Sequence, residues 1–383
     1  DGDDAPQIGE VGAGIQIPPN SGRILVRWGL KEKIEKVACR PLNARVWRYD
    51  NVAPLANWPF PSEQAMGVPY WHIHRADHHK ILLDEAVAPT LSYPARNPGP
   101  PHCEAASIRT EDGRSYSGDV LVGADGVRSD VKVAVTQDKE NAKPSGDQAY
   151  RFLIPVEEVK KYPELAFTLD RAMNHHVGPN AHIVHYPISD YKYVNVVTCS
   201  LGEGRTDESW NQQGGRDELL KQFEGWSPEI IKLMSMSDKY LKWQLIKRGE
   251  LRTWVRGKTT LLGDACHAMV PYLAQGAAQA LWGLPINAAL QAYEKVRKRR
   301  TTAIVNGADG ARATFHMHDG QLKKDRDDAF KRQWGKSSSV FSPHWTYDAE
   351  YEMIKYLNQL GPRGRAAAPE SASTSAPATQ ARL

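Results

Sequence analysis

Cysteine is scarce in this chain. The four residues Cys39, Cys103, Cys199 and Cys266 are spread over 383 positions, and no C-x-x-C pair occurs. That excludes a disulfide scaffold and the usual zinc or thioredoxin-like spacing, so reduced thiols in an intracellular, cytoplasmic protein are expected. No run of about 18 apolar residues exists, so no transmembrane segment is expected. Charge of one sign is also lacking. The net charge is only +4, without the clustered basic face that binding to nucleic acid requires, so no nucleic-acid partner is expected. The one basic run, Arg297-Lys298-Arg299-Arg300, reads as a solvated turn at a helix end, where it would complement the dipole. The absence of G-x-S-x-G excludes the nucleophile elbow of a Ser-His-Asp hydrolase. His72-x-His74, His78-His79, His175-His176 and His316-x-His318 have no carboxylate or cysteine to complete a recognisable ligand set, so no metal is expected. There are no internal repeats.

What is present suffices for a sizeable α/β core, with 41% hydrophobic against 25% charged residues. After Pro18-Pro19, Asn20 or Ser21 can cap a helix over 20–30, and residues before it read as loop. Alternation predicts a strand over 44–49. Apolar Ile81, Leu82 and Ala86, spaced helically after Asp77, predict a helix over 77–86. Residues 105–110 and 115–122 read as a hairpin around Glu111-Asp112-Gly113-Arg114. From about residue 145 strands dominate, over 148–155, 182–187, 191–200 and 243–247. Helices are predicted over 217–224 and 227–235, the second opening on Ser227-Pro228. Residues 306–360 are rich in aromatics and predict a helix over 347–360. Residues 361–383, mostly Ala, Ser, Pro and Thr, have little to bury and predict a disordered tail.

The chemistry-bearing stretch is 263–278. An apolar strand, Thr259-Thr260-Leu261-Leu262, ends in Gly263-Asp264, and a loop leads to Gln275-Gly276-Ala277-Ala278. Small residues let backbone approach a ligand closely, and a carboxylate at a strand end can accept bonds from hydroxyls. A second stretch joins an apolar strand, Val120-Leu121-Val122, to Gly123-Ala124-Asp125-Gly126 and a Ser129-Asp130 helix start. Two more are Gly9-Glu10-Val11-Gly12-Ala13-Gly14 and His74-Arg75-Ala76-Asp77. In this order the four resemble the motifs of the salicylate hydroxylase-like, single-component FAD-dependent aromatic monooxygenases, over roughly residues 8–305. The resemblance implies a Rossmann-like FAD-binding domain, interleaved as 1–140 and 250–305, with a sheet-rich substrate domain over 145–245 and a helical region over 306–360. The family's G-x-G-x-x-G turn and following acidic residue have no counterpart, since position 17 is Ile. The chain is therefore expected to enter that fold after the first β-α-β unit, as a truncated member.

Residue by residue, the resemblance implies that Gly12, Ala13 and Gly14 approach the adenosine side of FAD, against a flexible-loop reading. Arg75 would reach the cofactor or pair with Asp77. Asp125, with Arg128, would lie between the FAD and nicotinamide sites or form an Asp-Gly turn. Asp264 would accept from ribityl or ribose hydroxyls or cap a helix. Pro271 would pack near the reacting face or kink a loop, and Gly276 and Ala277 would present backbone N–H groups. Arg151 and Tyr186 are the catalytic candidates. Tyr186 could orient a phenol and Arg151 stabilise a phenolate, or both could serve strand packing. The implied activity is NAD(P)H- and O2-dependent hydroxylation of a small phenolic or other aromatic substrate through a flavin C4a-hydroperoxide. The alternative is a non-catalytic remnant that does not hold FAD. Oligomeric state is left open.

Overall fold

In the computed structural model the described residues are 13–86, 101–109, 113–140, 142–202, 212–280, 288–336 and 342–359. Gly12 and the 361–383 tail lie outside them. In chain order the strands are β1 (Gly14–Ile17), β2 (Asn43–Arg48), β3 (Pro54–Pro59), β4 (Trp71–His74), β5 (Ser107–Arg109), β6 (Ser115–Ser117) and β7 (Leu121–Gly123). They continue as β8 (Lys143–Pro155), β9 (Ala172–Gly178), β10 (Ala181–Ile188), β11 (Tyr193–Leu201), β12 (Gln212–Gln213), β13 (Leu241–Lys247), β14 (Val255–Arg256) and β15 (Thr259–Leu261).

Among the described residues the largest sheet has eight strands in the order β12-β13-β8-β11-β10-β9-β2-β3. It is antiparallel except where β2 runs parallel to β9. Its two faces follow from the alternation of side chains along a strand. Tyr150, Phe152 and Ile154 of β8, Ala181 and Ile183 of β10, and Val194 and Val196 of β11 point into one core. That core is closed by Leu219, Ile230, Leu233 and Met234 from the helices Arg216–Gln222 and Pro228–Met234, and by Phe223 just after the first. Ser227 caps the second helix through its side chain. The intervening residues face the other way, toward a cavity. The sheet also recruits β2 and β3, from a segment that the sequence-based division assigns to the FAD domain.

The second unit is a three-stranded sheet, β14-β15-β7. β15, fully buried, pairs in parallel with β7, Leu261 opposite Gly123. Parallel pairing brings both carboxyl ends to one edge, where ligands commonly bind in α/β sheets. The helix Asp130–Thr136 packs so tightly behind that a Cβ on Gly123 would sit 2.5 Å from Val131.

Three expectations change. Gly14 opens β1, which pairs with β4, instead of lying in a loop. β7 leaves the β5–β6 hairpin and joins a different sheet. Most consequentially, Arg297 is not in a solvated terminal turn. It lies within the helix Ala288–Phe315, is 2% exposed, and its guanidinium donates to Gln279 O and Oε1, both at 2.8 Å. Polar partners already buried on the short helix Gly276–Ala280 take two of its bonds, and the Tyr347 ring lies 5.4 Å away, while Nε stays without a partner. All four cysteines are buried and unpaired. Among the described residues no helix is long and apolar enough to cross a membrane.

Candidate active site

A cavity of about 510 Å³ lies between the large sheet and the carboxyl ends of β7 and β15. Eight of the sequence-selected residues line it: Gly14, Arg75, Arg151, Tyr186, Asp264, Pro271, Gly276 and Ala277. Strand geometry explains the floor. Register places Arg151 of β8 opposite Val197 of β11, Val197 opposite Val184 of β10, and Val184 opposite His175 of β9. Tyr186 lies two residues beyond Val184 on the same face. The floor is thus one cross-strand row with a cation at one end and an imidazole at the other.

Arg151 Nε is buried with no hydrogen-bond partner, and the guanidinium lies 5.1 Å from the centroid of Trp243. Burial lowers its pKa, with Tyr186 and Cys199 acting in the opposite sense. Burial pushes the Tyr186 hydroxyl up to about 12, against a hydrogen bond from Gln16 and the charge of Arg151, so it keeps its proton near neutral pH. Gln16 also accepts from the Tyr70 hydroxyl. The Tyr186 ring packs 4.2 Å from His72 and against Gly14, where a Cβ would fall 2.8 Å from the ring. Gly14 N donates to Asn195 Oδ1 at 2.7 Å. This glycine therefore joins β1 to the floor, and only a residue without a side chain fits.

The opposite wall comes from the loops after β15 and β4. Gly263 adopts φ +63 and turns the chain so that Asp264 begins the short helix Asp264–His267. The Asp264 side chain is surrounded by protein but opens onto the cavity. Desolvation raises its pKa, while Arg75 and Arg248 pull it down. Arg75 follows β4 directly, and its backbone N–H donates to Ala13 O at 3.2 Å. Beyond Gly276, a Cβ would meet only Met269, at 3.9 Å, so open space faces this backbone. Pro271 starts the turn Pro271–Leu273. Asp125 is engaged differently from its neighbours. Its carboxylate accepts from Ser129 Oγ and from Val131 N at 3.1 Å, anchoring the helix Asp130–Thr136, while Ala124 and Gly126 line the cavity.

Tyr70, His175, His182, Tyr272 and Trp345 also line the cavity, and sequence assigns none of them a role in this site. Tyr272 donates to Asp147 Oδ2 at 2.5 Å, and Asp147, fully buried, is held by Arg312. His182 Nδ1 lies 2.8 Å from His316 Nε2. Alternation along β9 and β10 would have found His175 and His182. Tyr272 falls within the 263–278 stretch without a role of its own there, and nothing local marks Trp345. Among the described residues no cluster of three or more His, Cys, Asp or Glu could hold a metal.

No family model matches the chain. Over 375 residues it is 32% identical to the FAD-dependent monooxygenase OpS4 of Beauveria bassiana (strain ARSEF 2860), covering 89% of this chain and 85% of that protein. Over 344 residues it is 31% identical to the 3-amino-4-hydroxybenzoate 2-monooxygenase PtmB3 of Streptomyces platensis, covering 84% of each. Among solved structures it resembles a salicylate hydroxylase substrate complex, with a TM-score of 0.76, 21% identity and 90% of each chain covered. It also resembles CtdE in complex with FAD and a substrate, with a TM-score of 0.77, 16% identity, and 93% of this chain and 91% of that one covered.

Proposed function

Because the chain belongs to the FAD-dependent monooxygenases, we propose that it hydroxylates a small phenolic or other aromatic substrate in this cavity, using FAD, O2 and NAD(P)H. The observation that carries this reading is the pairing of two unlike walls. One offers Asp264, Arg75 and open backbone at Gly276; the other offers a cation and a phenol on one sheet face. The first wall fits a flavin. The Asp264 carboxylate would accept from ribityl or ribose hydroxyls, and Arg75 would give a charge-assisted bond to the cofactor. Gly276 and Ala277 would let backbone approach it, and Pro271 would pack beside its ring. Ala13 and Gly14 would carry the β1 edge toward it, and Asp125 would fix the helix behind the loop that faces it.

When bound and reduced by NAD(P)H, the cofactor supplies the activated oxygen, by the route that the family resemblance implies. This chain's part is to present an electron-rich ring. Arg151 would stabilise the phenolate oxygen, because a buried cation without a full set of partners gains most from an anion. Tyr186, kept protonated, would donate to the same oxygen and fix the ring's orientation. The apolar residues Met173, Val184 and Leu273 would exclude water. The test is NAD(P)H oxidation by the FAD-loaded protein with a panel of phenols, with product identified by mass. Phenol-dependent oxidation with gain of one oxygen is expected. Oxidation indifferent to every phenol would refute it.

A further inference from the structure

The aromatic segment near the end of the described chain contributes Trp345 to the cavity. Its side chain is 2% exposed and packs on Phe60, with centroids 5.4 Å apart and planes at 28°, and on Tyr70 at 5.3 Å and 64°. Tyr70 in turn is tied through Gln16 to Tyr186, one of the two residues proposed to meet the substrate. The ring therefore belongs to a continuous aromatic wall at the substrate end.

That wall is held from behind by three arginines on two distant elements. Arg23, in the helix Pro19–Arg27, donates to Trp345 O at 2.6 Å, Tyr347 O at 2.8 Å and Met66 O at 2.9 Å. Arg300, in the helix Ala288–Phe315, donates to His344 O at 2.9 Å and lies 3.7 Å from the Tyr347 ring centroid. Arg27 pairs with Asp348 and Glu350. Burial and the charge of Arg297 lower the Arg300 pKa to about 10, so it stays charged at neutral pH. Charge-assisted bonds to successive carbonyls fix the backbone on both sides of Trp345. A ring mounted this way cannot withdraw to admit a larger ligand without breaking several such bonds.

We infer that Trp345 is the specificity-determining residue that restricts this site to a single aromatic ring. The inference rests on the proposed aromatic monooxygenase reading. A cavity of about 510 Å³ that would also take the flavin ring leaves room for a compact substrate, and a second fused ring extending from Tyr186 toward Tyr70 would meet Trp345. Arg23 is the positioning residue of that wall.

The test is calorimetric titration of the FAD-loaded full chain with phenol and with 2-naphthol, for the unaltered protein, Trp345→Ala, Trp345→Phe and Arg23→Gln. The unaltered chain should favour phenol. Trp345→Ala should shift the ratio of dissociation constants toward 2-naphthol by about tenfold or more, the scale on which pocket shape discriminates between apolar groups. Trp345→Phe should shift it less, and Arg23→Gln should move it in the same direction with the ring still present. An unchanged ratio in folded Trp345→Ala overturns the inference. If that variant does not fold, an unchanged ratio in Trp345→Phe does so. Failure of the unaltered chain to bind either ligand overturns it too. A ratio shift without any turnover would sustain the size limit and sink the monooxygenase reading, so the two failures are distinguishable.

Discussion

The two sheets that face each other across the cavity are built on different physics. The eight-stranded sheet presents side chains. Arg151, His175, His182 and Tyr186 reach the cavity because alternation and register put them there, and their environment is dry. The three-stranded sheet presents mainly backbone and small residues from the segments that follow its strands, Ala124, Gly126, Gly263, Gly276 and Ala277, with Asp264 as the polar handle. A surface of side chains can select a substrate and set its protonation. A surface of backbone can come close to a large planar ligand. The difference yields a division of labour between the two walls, and it can be attacked from either side.

Acid should produce the largest effect, and it should act on the side-chain-built half. Burial pushes His72 and His185 down to about 3, and His175, His267 and His316 to about 4, from an ordinary 6.5. Three of these five, His175, His185 and His316, belong to the large sheet or to the helix end bonded to it. Below 6.5 the unfolded chain takes up protons that the folded one refuses, so stability falls as pH drops from about 6.5 toward 4. Each imidazole contributes on the order of 1 kcal/mol per pH unit, and together they outweigh the usual margin of stability. Thermal melts across this range should fall steeply. A flat profile would mean that the imidazoles are wetter than their burial implies.

Asp147→Asn should come next, because it cuts the link between the halves. The carboxylate holds Tyr272 on the turn after Pro271 and Arg312 on the long helix. Removing a buried charge while its partner stays should cost about 3 kcal/mol, read as a shift in the denaturant midpoint at constant slope. Arg151→Met should then lower kcat/KM by about a hundredfold while flavin content stays near normal, since it touches only the substrate wall. Loss of flavin in that variant would erase the distinction between the walls. Gly14→Ala should have the smallest effect, about 2 kcal/mol of destabilisation from overpacking against Tyr186 and Asn195, measured by chemical unfolding.

The same contrast explains what the sequence disclosed. Gly263-Asp264 and Gly123-Ala124-Asp125-Gly126 were legible because a strand ending in small residues is a local pattern, and the structure brings both to one edge. Arg151 and Tyr186 were legible as strand residues, but their shared face depends on register between strands, which no single segment encodes. β9 was missed. Its residues Asn174, His175 and His176 read as polar, yet they are buried, with Asn174 accepting from Trp47 Nε1 and His176 3.0 Å from His185. Arg297 was misjudged for the same reason, because its partner Gln279 lies 18 residues away. The aromatic residues from 341 to 356 had no local meaning at all. Trp345 acquires its place only through distant partners, among them Arg23, 322 residues away, and the rings of Phe60 and Tyr70.

The most direct test of the central claim is the visible absorbance spectrum of the purified chain after incubation with FAD and desalting. A retained flavin spectrum, bleached by NAD(P)H faster when a phenol is present, is the predicted result. A folded but colourless protein would contradict the account and favour the non-catalytic alternative.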